Sequence, residues 1–414
     1  MNRGASFGQP SLSVFFCIAL WTCAASAETP PRPLFIADSV EGVTAPGRLD
    51  NMGDDWSIAL VGDKKISVRG ADFIALRRLD TPIPALPSMQ HIILANGDRI
   101  PGEVVELAQD RLRIDAALGS KQPMRLPLDA VAAIWFQSGL RREDGDDSRF
   151  HRRLLAERRR RDVVLLKNGD VVEGSLLRLD AKALTVQTGP QKTVAIERDK
   201  VSAVAFNSDF MRPPRVKGPY ARLVLANGCR LSLTLAQANA EALTGKTPFG
   251  VTVQVSIEQI VALDLLQGRA VYLSTLKPRS YEYTPFLGNE HLSFTVDGNW
   301  QEAELRLGGS TYDRGIGMHS KSKLVYELPV GCRRFEALVG IDDSAEQRAS
   351  AAVEIIVDGK PRNAGWKNPL TKRDGPRVVR VELLGAKELT LIVDWGRQGL
   401  VQGRVNWANA RLLK

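Results

Sequence analysis

Cysteine and histidine are scarce in this 414-residue chain, with four of each. Cys17 and Cys23 lie near the N-terminus, while Cys229 and Cys332 are far apart. That spacing excludes a disulfide framework, and no Cys/His cluster has the spacing of a zinc site. With so few histidines there is no Ser/His/Asp or Cys/His set for nucleophilic catalysis. Long apolar runs are missing too, since none reaches the ~20 residues of a membrane-spanning helix. Residues 28–265 show no α/β periodicity, and so no large scaffold of the kind that holds a glycosidase's two carboxylates about 5–10 Å apart. A non-enzymatic protein is expected, with no cofactor.

The N-terminus has a recognisable layout. Residues 1–27 carry Arg3 as their only charged residue, an apolar run over 12–21, and the small-x-small site Ala25-Ser26-Ala27. This is the pattern of a secretory signal peptide, so the chain is expected to be exported, to a periplasm, a cell surface or the medium. An N-terminal membrane anchor is the alternative. A lipid-attachment box at Cys23 fits poorly, because bulky Trp21 and Thr22 precede it. Cleavage would remove Arg3 and lower the formal charge of +9 by one. The densest basic runs are at 152–153 and 158–161, where no aromatics interleave. One face of a short helix over 147–161, with Phe150, Leu154 and Leu155 among the charges, explains them more simply than nucleic acid does.

An internal repeat is present. Ile93-Leu94-Ala95-Asn96-Gly97-Asp98-Arg99-Ile100 returns as Val164-Leu165-Leu166-Lys167-Asn168-Gly169-Asp170-Val171 and again as Leu223-Val224-Leu225-Ala226-Asn227-Gly228-Cys229-Arg230-Leu231. Asn-Gly pairs adopt the positive φ angles of tight hairpins, and the flanking residues alternate so that each strand buries one face. Mid-strand Gly102 and Gly174 suit a bend or bulge. About 45 residues with five short strands describes a small SH3-like or Sm-like barrel. The expected copies are a degenerate one over 28–80, then 90–137, 162–207 and 220–268. A charged helical linker over 138–161 and proline-rich stretches at 81–87 and 211–214 separate them. Asp98 and Asp170 read as turn residues rather than ligands.

Beyond residue 270 the composition changes. Four of the seven tryptophans, Trp300, Trp366, Trp395 and Trp407, lie there. Short alternating strands punctuated at Asp342-Asp343, Asp358-Gly359 and Gly385-Ala386 predict a two-sheet sandwich. Sugar binding uses an exposed aromatic ring against the apolar face of a pyranose and planar polar groups for its hydroxyls. Trp366 in the loop Asn363-Ala364-Gly365-Trp366-Lys367-Asn368 and Trp395 beside Arg397 and Gln398 are the candidates. Asn363 and His319 join them as polar candidates. For each tryptophan a half-buried place at the sandwich edge is the competing reading. Trp407 is expected in the core.

The order of these features resembles a known family. Leu307-Gly308-Gly309-Ser310-Thr311-Tyr312-Asp313-Arg314-Gly315-Ile316-Gly317-Met318-His319-Ser320 is similar to the opening of an NPCBM domain, a carbohydrate-binding-type module found beside family 98 glycoside hydrolases. The likeness continues through Phe335 to Asp343, Val357-Asp358-Gly359-Lys360 and Gly385 to Leu389, and ends at Asn406-Trp407-Ala408-Asn409-Ala410-Arg411-Leu412. It covers about residues 270–414. It implies a galactose-binding-like jelly-roll sandwich and a polysaccharide or glycan as partner. Such modules often carry a structural calcium ion, but Gly403, Asn406 and Asn409 stand where the family has acidic residues. The whole chain is therefore expected to be all-β, with serial small barrels before a jelly-roll sandwich, and to bind carbohydrate without breaking a bond. Two rivals stay open: the accessory part of a glycoside hydrolase system, and a structural or protein-interaction component of the cell envelope.

Overall fold

Alternation of apolar and polar residues becomes strand almost throughout. The computed structural model describes Met1 and residues 32–118, 123–136, 152, 155–285, 291–363, 365–396 and 403–414, so the leader-like residues 2–31 and most of the charged segment 137–154 lie outside the described residues. Among the described residues no helix is long and apolar enough to cross a membrane.

The repeat has a repeating structure. Strands His91–Leu94, Arg99–Ala108, Arg111–Ala116 and Met124–Pro127 precede the 3-10 turn Leu128–Ala130 and the closing strand Val131–Trp135. The same series runs from Asp162–Leu166 through the 3-10 turn Arg198–Lys200 to Val201–Ala205. It runs again from Tyr220–Leu225 through Ile257–Gln259 to Ile260–Leu266. Each closing strand returns antiparallel to its own first strand, with Ile134 opposite Ile92, Val204 opposite Val164 and Leu263 opposite Leu223. Residues 35–78 repeat the closure, with Leu76 of Phe73–Arg78 opposite Ala37 of Phe35–Ser39. Gly97 in the first Asn-Gly turn has φ +84°, the left-handed region that glycine enters without steric cost.

The closing strands also join one repeat to another. Ile134 lies opposite Val204, which couples the two middle repeats, and Leu263 lies opposite Leu76, which couples the last repeat to the first. The outer pair thus encloses the inner pair along the sequence. Apolar residues from all four repeats, among them Phe35, Phe73, Ile100, Val204 and Leu263, form one buried cluster. Of the charged segment, Leu155 packs on the patch of Ile93, Ala133 and Ala205. The arginines beside it are engaged by the protein. Arg159 is 7% exposed with its Nε donating to the Phe206 carbonyl at 3.3 Å, and Arg158 pairs with Asp209 at 3.0 Å. The run is thus partly structural rather than a wholly solvated face.

The C-terminal part is a two-sheet sandwich. One sheet holds Thr295–Val296, Gly315–His319, Arg404–Leu413, Arg334–Ile341 and Arg377–Glu382 in that order. The other holds Ser280–Tyr283, Ser322–Glu327, Glu388–Trp395, Ser350–Val357 and Lys360–Arg362. Val379 and Val381 point inward while Arg380 and Glu382 face water, as a period of two requires. Trp407 is fully buried, its ring centroid 6.4 Å from that of Phe335.

Buried charge docks the repeats on the sandwich. Arg230 is fully buried and grips both oxygens of Asp313, at 3.0 and 3.1 Å. It also donates to the carbonyls of Pro84, Ala85 and Gly228. The proline-rich stretch after the first repeat is therefore a strap over this arginine. Burial alone would raise the Asp313 pKa, but the Arg230 charge overcomes it and holds the carboxyl at about 2. A second tie links Arg411 to Asp38 at 3.2 Å and to Glu336 at 2.9 Å. Among the described residues the free cysteines are Cys229 and Cys332, both buried.

Candidate functional site

The site begins at two glycines. A Cβ on Gly317 would lie 2.5 Å from the Gly298 carbonyl oxygen, and one on Gly315 would lie 2.3 Å from the Trp407 carbonyl oxygen. With no side chain at Gly317, the turn bearing Asn299 and Trp300 can lie directly on the strand. Asn299, which is buried, holds that turn by accepting from the amides of Gln301 and Ala303, each at 2.9 Å. Two residues past Gly317, His319 emerges beneath the Trp300 ring. Gly317→Ala should cost about 1–3 kcal/mol, because the contact is with backbone that must shift, and should displace Trp300. Denaturant unfolding with tryptophan fluorescence would measure both.

Trp300 is the centre of a cluster. The His319 ring meets it edge-on at 5.9 Å between centroids, and Tyr283 meets His319 at 6.3 Å. The Arg404 guanidinium carbon lies 3.4 Å from the Trp300 centroid, a stacked cation–π contact. The indole Nε1 donates to Ser344 Oγ at 3.1 Å. Ser344 in turn donates from both hydroxyl and amide to the fully buried Asp342. Asn406, also buried, donates to the other Asp342 oxygen. The ring is therefore anchored through a chain of satisfied polar groups, which makes it rigid.

Burial, then the nearby Arg404 charge, pushes the His319 pKa down to about 4, so its imidazole is neutral at ordinary pH. Burial also lowers the Arg404 pKa, against the opposing pull of Asp342 and Glu346. The hairpin after His319 carries Lys321, whose Nζ stands 4.4 Å from the Trp395 centroid and pairs with Asp394 at 2.9 Å. Trp395 is 38% exposed. Ser320 donates to the Gly403 carbonyl at 3.0 Å, fixing the residue before Arg404. Among the described residues no three His, Cys, Asp or Glu side chains are arranged to hold a metal ion. What the arrangement offers is a half-buried indole bordered by a guanidinium and a neutral imidazole, with a phenol against the imidazole.

The sequence-derived candidates divide. His319 sits in the cluster, and Trp395 lies at the same end of the sandwich, reached through Lys321. Trp366 is half-buried against the sandwich core on an edge loop beside Ser350–Val357. Asn363, in that loop, is exposed and accepts from the Gly365 amide at 2.9 Å. Arg397 and Gln398 lie outside the described residues. Sequence reasoning did not single out Trp300, Arg404, Asp342 or Ser344. Trp300 stood among the late tryptophans and Asp342 in a presumed turn, but nothing local marks Arg404.

Comparison with known proteins comes to bear on the same segment. Over 110 residues, 26% of the chain, the sequence is 33% identical to a protein of Renibacterium salmoninarum named as a candidate endo-alpha-N-acetylgalactosaminidase, and the match spans 7% of that protein. Among solved structures, the chain is similar to the CBM51 of a Clostridium perfringens GH95 protein in complex with methyl-galactose. The two are 26% identical, with 34% of this chain and 99% of that one covered and a TM-score of 0.31. It is also similar to the CBM51-2 and INT domains of Clostridium perfringens ZmpB in complex with GlcNAc, at 22% identity, with 42% and 36% covered and a TM-score of 0.31. Residues 269–413 match the NPCBM/NEW2 domain family.

Proposed function

We propose that the protein is an exported, non-catalytic glycan-binding protein that docks a sugar against Trp300 at one end of its C-terminal sandwich. The observation that carries this reading is the rigid indole of Trp300, anchored through Ser344 to Asp342 and bordered by Arg404 and His319, with Tyr283 against His319. Arg404 already covers one face of the ring, so a pyranose would lie against the other face or the free edge. The neutral imidazole can donate one hydrogen bond and accept another, and the guanidinium donates in a plane, as paired sugar hydroxyls require. Trp395 with Lys321 supplies a flanking surface for a longer glycan. The four repeats are read as SH3-like or Sm-like barrels serving as a platform. Export rests on the leader-like pattern of residues 1–27.

A glycan array with the full-length protein tests this. Trp300→Ala should weaken binding at least tenfold, while Trp366→Ala should leave it unchanged. A blank array from folded protein, or undiminished binding by Trp300→Ala, would sink the reading. A role in envelope protein interaction is the second reading. It draws on Phe210, 69% exposed beside a groove lined by Leu128, Phe206 and Met211.

A further inference from the structure

Away from the Trp300 cluster, a cavity of about 260 Å³ lies where repeats, linker and sandwich meet, lined by Asn96, Arg215, Tyr220, Arg222, Ser232 and Arg314 among others. Three arginines reach it from three separate segments, and none of its lining residues is a carboxylate. Arg314 is paired with Asp297 at 2.7 Å. Arg222 donates to the Gly97 carbonyl at 3.1 Å and pairs with no carboxylate among the described residues. The Nε atoms of Arg222 and Arg314 are both buried without a hydrogen-bond partner, a costly state for a charged group. Asp98, on which the Arg222 charge acts, is already committed. It accepts from the Ser232 amide and hydroxyl and from Asn96. The surplus of positive charge is felt next door, where burial and then Arg222 and Arg230 lower the Arg99 pKa to about 10.

We propose that this cavity binds a small oxyanion, either a free one such as phosphate or sulfate or the acidic group of a charged sugar. Arginine forks bind planar or tetrahedral oxyanions bidentately, and the Tyr220 hydroxyl and the second amide hydrogen of Asn96 complete the donor set. The volume takes one such group or a single sugar ring, not a chain. Because the lining comes from the first Asn-Gly turn, the linker at 214–216, the last repeat and the turn before the sandwich strand Gly315–His319, an anion here would tie these segments together.

Isothermal titration of the full-length protein at constant ionic strength tests the site, with inorganic phosphate, sulfate and glucuronate as probes. Thermal shifts alone would mislead, because sulfate and phosphate stabilise folded proteins generally. Saturable binding at one site is expected for phosphate and sulfate, at least tenfold weaker in Arg215→Gln and in Arg222→Gln, and for glucuronate a component lost in the same two variants. Arg215 is exposed, so its variant should fold normally. Tighter binding of glucuronate than phosphate assigns the site to an acidic glycan, and the reverse order assigns it to a free anion. No saturable heat with any probe, or equal affinity in wild type and both arginine variants, would overturn the proposal.

Discussion

Arg230→Met should cost about 3–5 kcal/mol of stability, the typical result of removing one partner of a buried ion pair. The loss has two parts. Asp313 would keep its charge in a mostly buried place with its strongest counter-charge gone. The carbonyls of Pro84, Ala85 and Gly228 would also lose their shared donor. Methionine can fill much of the volume, so most of the cost is electrostatic. Pairing the change with Asp313→Asn should therefore recover a substantial part of it. Urea unfolding of the single and double variants gives both numbers. A single-variant loss below about 1 kcal/mol would mean that apolar packing, not this clamp, holds repeats and sandwich together.

Acid should destabilise the protein through two buried histidines. Burial puts the pKa of His91 at about 4 and of His319 at about 4, below an unfolded value of about 6.5. His91 also feels Arg99, while its Nδ1 bond to the Met89 carbonyl opposes the shift. Both folded pKa values are depressed, so between pH 4 and 6.5 the unfolded state binds more protons. Stability therefore falls as pH drops through that window, by about 2 kcal/mol per histidine at pH 5 relative to neutral pH. Asp313 works at lower pH: its contribution is present above about pH 4 and fades as pH falls toward 2. Urea midpoints at pH 7 and pH 5 should separate clearly in the wild type. His91→Gln and His319→Gln should each remove about half of the gap, and an unchanged gap in both would refute the assignment.

Local signals carried much of the fold. Period-two alternation and Asn-Gly pairs located the strands of the repeats, because both act within a few residues. The Gly-x-Gly-x-His-Ser motif lies beside the Trp300 cluster because the backbone at Gly317 is approached too closely for a side chain. What stayed hidden was non-local. That the closing strand of the last repeat pairs with that of the first depends on edges more than 180 residues apart, and no turn residue encodes it. Arg404 over Trp300 is the same kind of fact: an arginine after an inconspicuous glycine acquires its role only when two loops converge. Trp366 is the opposite case. Its polar loop left both a sugar-facing ring and a half-buried edge ring open, and the ring is half-buried against the core, since loop composition does not report which way a ring turns.

The enclosure of the inner repeats by the outer pair has a consequence for how the chain is made. Arg77, in the closing strand of the first repeat, pairs with Asp264, 187 residues later. During synthesis the strand Phe73–Arg78 waits with an unpaired edge until the last repeat emerges. Such contacts slow folding, and an open edge during the wait invites pairing with a second nascent chain. A truncation that stops before Ile260 would make that transient edge permanent, so shortened forms of this protein should precipitate rather than fold.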